Sequence, residues 1–277
     1  MSVITIARAV KSGGRDLADC LARRLDYKFL QNRDVITDCA KKYNIMEEEL
    51  IRKLEEVPGF WQRLTKEHTR FLVYVQSAVV DAVKCDNVVY LGLAGQIFLT
   101  GIKHVFKLQV EAPFEDRVRR AMKELNMDKN KVSEYLMDAD DKRSRWVKIL
   151  FGENWRDLAL YDLSVNLSKM SIDSICRMVV SAMDSEEFKT TEQSKTALNN
   201  LSLECEVRAA FASEDLLWNQ KIGVIANGSN ITLKGMVKNN KIEQELVDIA
   251  SKVKGVTNCQ SNIVLASKQP KGGIWND

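Results

Sequence analysis

The stretch from Val3 to Leu25 constrains the fold more than any other part of this chain. An apolar run, Val3-Ile4-Thr5-Ile6-Ala7, leads into a glycine turn, Lys11-Ser12-Gly13-Gly14. A stripe of Leu17, Leu21 and Leu25 follows, with Ala18 and Ala22 beside it. A continuous apolar run reads as a strand covered on both faces, and apolar residues four apart read as one face of a helix. Strands are also predicted over Val88–Leu91, Val105–Val110 and Asp162–Leu167. Helical patterns fall over 34–56, 60–84, 115–126 and 170–183. Strands alternating with helices give an α/β fold, a parallel sheet covered by helices. Residues 127–160 break this rhythm. They carry Asp138, Asp140, Asp141, Lys142, Arg143 and Arg145 with no dominant apolar stripe, so either a solvated helical hairpin or a mobile lid is expected there.

A second unit is expected near the C-terminus. Residues 184–199 are polar and read as a linker after a first domain over 1–183. Within 200–268, Leu203, Val207 and Phe211 mark a helix. Strands over Lys221–Ala226 and Asn230–Val237 flank Asn227-Gly228, a hairpin signal whose loop looks longer than two residues. Ile242, Leu246, Ile249 and Val253 stripe a second helix, Gly255 reads as its C-cap, and Val256–Leu265 is a third strand. The unit is a small αββαβ domain, and residues 269–277 are a tail.

Composition removes several chemistries. The chain holds 41 Lys plus Arg against 38 Asp plus Glu, a net charge of +3, and that gives no polyelectrolyte drive toward nucleic acid. Two histidines and no Cys-x-x-Cys pair leave no metal site of the usual zinc spacing. Six scattered cysteines read as reduced thiols. The start lacks a secretory pattern, and the longest uncharged stretch, Asn87–Ile102, is too short for a membrane span. A cytoplasmic protein is expected.

The glycine turn is where an anion site would form. Glycines let backbone N–H groups converge on a phosphate, and the helix that follows adds its positive end. Lys11, Ser12, Gly13, Gly14, Arg15 and Asp16 are the candidate binding residues. The P-loop pattern is only partly met. With Gly13 as its final glycine, Arg8 falls at the first glycine, Gly14 at the lysine and Arg15 at the serine or threonine. A simple helix-capping turn, with Ser12 as cap, fits the spacing about as well.

The turn and its flanks resemble a known family. Ile4–Arg8, Ser12–Ala18 and Leu21–Leu30 look like the opening of the cytidylate kinase-like family, a branch of the P-loop nucleoside monophosphate kinases. Ala112-Pro113, Glu115, Arg117 and Arg120, then Asp140-Asp141-Lys142-Arg143, Phe151-Gly152, Trp155 and Tyr161–Asn166 continue the likeness over 1–183. The resemblance implies a P-loop kinase-like fold, ATP and magnesium, and a nucleotide substrate. It implies Arg143 as the lid arginine that steadies the transferred phosphoryl group, with Arg145 and Lys142 as weaker candidates. Arginine suits that task because its planar fork grips phosphate oxygens in pairs. The sequence departs from the family at Lys11, where relatives carry glycine. It departs again at Gly92-Leu93, where they carry Gly-Arg, and at Gln31-Asn32, where an aspartate is common. A catalytically degenerate nucleotide-binding module is therefore the alternative. Lys11 is a candidate replacement for a missing cation.

The strand Ile231–Val237 and the segment Val253–Asn258 are similar to a BON domain, a likeness covering about 200–266. It implies a protein partner or a phospholipid surface for residues 200–268.

Overall fold

The computed structural model describes residues 2–56, 66–92, 94–214 and 221–266. The chain divides into two compact units, Met1–Leu198 and Asn199–Asp277. The first begins with β1 (Val3–Arg8), α1 (Gly14–Leu25), β2 (Lys28–Gln31), α2 (Asn32–Tyr43), α3 (Glu47–Glu55) and α4 (Lys66–Val83). It continues through β3 (Val88–Leu91), α5 (Gly95–Phe98), β4 (Val105–Glu111), α6 (Phe114–Leu125), α7 (Lys129–Phe151), β5 (Leu163–Asn166) and α8 (Ile172–Met183). All five strands are parallel, in the order β2-β3-β1-β4-β5. β1 takes the centre because Val3, Ile4 and Ile6 are buried on opposite faces. α1 lays Leu17, Ala18, Leu21 and Ala22 on the sheet. Ile175, Cys176 and Val179 of α8 close the same core.

The observed elements correct several expectations. The 34–56 pattern is two helices, parted where Asn44 turns left-handed at φ 52°. The start of the 60–84 pattern lies outside the described residues, and α4 runs from Lys66. β2 was not foreseen, since only Leu30 of its four residues is buried. Where residues 127–160 suggested a solvated helical hairpin or a mobile lid, Lys129–Phe151 is a single helix of 23 residues, α7, and not a hairpin. Its buried stripe is Val132, Leu136, Asp140 and Val147. Asp140 occupies a core-facing position, which hides the apolar period from a reading of the sequence.

Asp140 is tolerated there because Arg117 of α6 grips it twice. Nη1 donates to Oδ1 at 3.1 Å and Nη2 to Oδ2 at 2.7 Å. Arg117 Nη1 also donates to the Val10 carbonyl at 3.2 Å. Val10 packs against the α6–α7 cluster of Val118, Ala121, Val132 and Leu136. One buried pair therefore ties α6, α7 and the loop after β1.

The boundary between units falls within α9 (Glu192–Ser213), so the segment read as a linker ends in helix. The second unit continues with β6 (Ile222–Asn227), β7 (Asn230–Val237), α10 (Asn240–Lys252) and β8 (Asn258–Leu265). β6 and β7 are antiparallel, β7 and β8 parallel. Asn227 pairs with Asn230, so the hairpin loop is the two residues Gly228-Ser229, shorter than expected; Gly228 takes φ 59°. Val253, not Gly255, caps α10. Val207, Phe211, Val224, Ile231, Leu233, Leu246 and Ala250 form this unit's core. The tail over 269–277 lies outside the described residues.

Three variants test this packing. Asp140→Ala leaves Arg117 buried without its partner and is expected to cost about 3–5 kcal/mol in urea unfolding, while the double change Arg117→Met with Asp140→Leu costs less than either single loss. Gly235 holds φ 146°, and a Cβ there would fall 2.6 Å from the Lys221 carbonyl oxygen. Gly235→Ala should cost about 1–3 kcal/mol in the second unit by the same measurement.

Candidate phosphate-binding cleft

The loop between β1 and α1 opens onto a cavity of about 540 Å³ lined by Arg8, Lys11, Gly13, Gly14, Arg15, Asp16, Arg120, Glu124, Tyr135 and Arg143, with Val10 beneath. Five cations face two carboxylates across this space. A second cavity, of about 220 Å³, is lined by Ile6, Arg8, Asn32, Leu91, Gly92 and Arg143. Arg8 and Arg143 belong to both walls, so the two spaces are neighbours on either side of these side chains.

The turn itself is built for close approach. Gly13 takes φ 96°, a conformation that costs most side chains strain, and caps α1 with no side-chain hydrogen bond. Arg120 from α6 lies against it, with Nη1 buried and without a hydrogen-bond partner. The expected capping role of Ser12 is not seen: its side chain is fully buried and its hydroxyl finds no partner. The first N–H groups of α1 are thus left for an acceptor from outside the chain.

The remaining site residues separate clearly. Lys11 faces the cavity but is ion-paired with Glu124. Its charge is already compensated, so it is a poor replacement for a missing cation. Arg15 and Asp16 are exposed at the rim. Arg145 is exposed and lines neither cavity, because α7 turns it away from the face that carries Arg143. Lys142 is paired with Asp138 at 2.7 Å. Arg8 and Arg120 went unassigned in the sequence, where only their place in the chain was visible. Among the described residues, none of the four guanidinium groups of the larger cavity, Arg8, Arg15, Arg120 and Arg143, is in an ion pair.

Arg143 is held by Trp155. The indole lies beneath its guanidinium at 5.3 Å, with Arg156 stacked at 5.0 Å. Trp155 is itself fixed on several sides. Its Nε1 donates to Ser144 Oγ at 3.0 Å, and its carbonyl accepts from Tyr161 at 2.6 Å and Gln109 at 3.3 Å. Gln109 also accepts from Ser164 at 2.8 Å. This explains the run from Trp155 to Asn166: it is a scaffold under Arg143, and Trp155 is a core residue. Burial, then the charge of Arg8, lowers the Arg143 pKa to about 10, so the group stays cationic at neutral pH. Burial also lowers Arg8, and the charge of Arg15 adds to the effect. Burial raises Glu111 despite nearby Arg156 and Arg117.

In the smaller cavity the Tyr90 ring lies where a side chain on Gly92 would begin, which requires glycine there. Tyr90 donates to Asn32 Oδ1 at 3.3 Å. Leu93 lies outside the described residues.

These donors fit a polyphosphate: backbone N–H groups, guanidinium groups in excess, and room for more than one phosphate. They do not fit a resident metal ion. Arg15 stands where the P-loop pattern has a hydroxyl, and no group of three or more His, Cys, Asp or Glu able to hold a metal occurs among the described residues. No helix among the described residues is long and apolar enough to cross a membrane.

A parallel five-stranded sheet with a glycine turn after its central strand and a cationic cleft above it defines an α/β kinase scaffold of the P-loop type. The comparisons place the chain within that class. Residues 3–169 match the model of the cytidylate kinase-like family, and the chain belongs to that family. It is 23% identical over 184 residues to a cytidylate kinase of Methanocaldococcus jannaschii, covering 66% of this chain and 97% of that protein. It is 23% identical over 177 residues to a cytidylate kinase of Sulfurisphaera tokodaii, covering 64% and 92%. An uncharacterized protein of Eubacterium ventriosum shares the fold with a TM-score of 0.52 at 14% identity, over 67% of this chain and 100% of that one. Membership makes the first unit a nucleotide kinase at the coarse level and implies nucleotide and metal use in general.

Removing the aromatic shelf should free Arg143 without removing its charge. Trp155→Ala is expected to destabilise the first unit by about 3–5 kcal/mol in urea unfolding, the cost of emptying a large buried site, and Trp155→Phe by less.

Proposed function

We propose that the first unit transfers the γ-phosphoryl group of ATP to a pyrimidine nucleoside monophosphate or a related acceptor. The single observation that carries this reading is the pair of neighbouring cavities that share Arg8 and Arg143 in their walls. The donor's phosphates lie in the larger space over Gly13 and Gly14, at the N-terminus of α1. The acceptor lies in the smaller space against Asn32, Leu91 and Gly92. An acceptor phosphate oxygen attacks the γ-phosphorus in line, the bond to the β-phosphate oxygen breaks, and ADP leaves with that electron pair. Charge spreads over the migrating group during transfer, and Arg143, in both walls, meets it. The metal supplies charge neutralisation when carried on the nucleotide, and no protein donor set is assigned to it.

One observation favours a second reading, a nucleotide-binding module with little turnover. Gly14 and Arg15 occupy the lysine and hydroxyl positions of the P-loop pattern. Its output would pass through the second unit, whose αββαβ order and glycines support a BON-like assignment. Ile225, Met236 and Val264 are exposed on the sheet of that unit, as a surface for a protein partner or phospholipid requires.

The test is ADP formation from ATP and magnesium with a panel of nucleoside monophosphates. Turnover with one acceptor class supports the kinase, and ATP binding without ADP supports the module. Arg143→Ala should lower kcat/KM by about 10²–10³-fold with the fold intact by circular dichroism. Gly13→Val should abolish ATP binding, since a side chain there is strained and displaces Arg120; unchanged affinity would reduce the turn to a helix cap.

A further inference from the structure

The phosphate loop lacks the lysine that its pattern calls for, and Gly14 stands in that place. The space a side chain at position 14 would enter already has an occupant. A Cβ on Gly14 would fall 2.8 Å from Arg8 Cδ and 2.9 Å from Arg8 Cβ. Arg8 is the last residue of β1, so its stem crosses from the strand end over the first residue of α1. Arg8 lines both cavities, and among the described residues it is in no ion pair. The other basic side chains near the turn are placed differently: Lys11 is committed to Glu124, Arg15 is exposed at the rim, and Arg120, from α6, lies over Gly13 rather than over Gly14.

We propose that Arg8 supplies the positive charge that a P-loop lysine would supply, reaching the donor's terminal phosphates from the strand end rather than from the helix. This rests on the nucleotide reading of the cleft. Glycine at 14 is then a requirement of arginine at 8: each position can carry the cation, and the two side chains exclude one another. A guanidinium differs from an ammonium in offering a planar fork to two phosphate oxygens at once, which suits the junction between donor and acceptor.

The exchange can be run in reverse. Binding of inorganic tripolyphosphate to the full chain is measured by calorimetry in metal-free buffer with EDTA, so that neither turnover nor magnesium enters. Arg8→Gln keeps the stem over Gly14 and removes the charge; it should weaken binding about tenfold to a hundredfold, as loss of a charge-assisted contact does. Gly14→Lys alone should bind no better than Arg8→Gln, because the new side chain meets Arg8. The double change Arg8→Gly with Gly14→Lys restores the standard spacing and should recover affinity to within about tenfold of the native chain. Arg119→Ala, on the exposed face of α6, controls for net charge and should leave binding unchanged. If Arg8→Gln binds like the native chain while Gly13→Val does not bind, the assignment of Arg8 fails and the nucleotide reading stands. If the native chain binds no tripolyphosphate, both fail. A double variant no better than Arg8→Gly also overturns the proposal.

Discussion

The cleft depends on one buried ion pair. Arg117 and Asp140 bring α6 and α7 together and, through the Val10 carbonyl, fix the loop that follows β1. Each group is costly inside a protein without its partner. Together they set where α7 lies, and so where Arg143, one turn further along, stands. Arg120 reaches the cleft from the same face of α6 as Arg117. The cationic wall is thus a consequence of a structural contact that touches no ligand.

The periodic parts of the fold could be read from sequence. The run at Val3, the leucines at 17, 21 and 25 and the strand at Val88 each carry a regular apolar signal. That signal exists because these residues do nothing but pack. α7 was opaque for the opposite reason: Asp140 sits on the buried stripe, so the residue that matters most looks like part of a solvated charge run. β2 buries too little to show a period. The helix begun at Glu192 was hidden by a polar composition that suits either an exposed helix or a linker.

The site divides in the same way. Gly13, Gly14 and Arg143 were legible because local order or family likeness marks them. Arg8 and Arg120 fall within the family likeness but gained no role from it, since their use depends on which glycine each side chain covers. Arg145 drew attention by proximity in sequence alone, and helical geometry sends it elsewhere. Lys11 looked available until Glu124, far along the chain, was seen beside it.

The guanidinium groups of the larger cavity come from four places: the end of β1, the start of α1, α6 and α7. An anion held among them is in effect a non-covalent cross-link between segments that otherwise repel. Without it these like charges repel one another, and with it the same charges are drawn toward one centre. Any molecule carrying enough phosphate to span the four segments acts as part of the fold for as long as it stays.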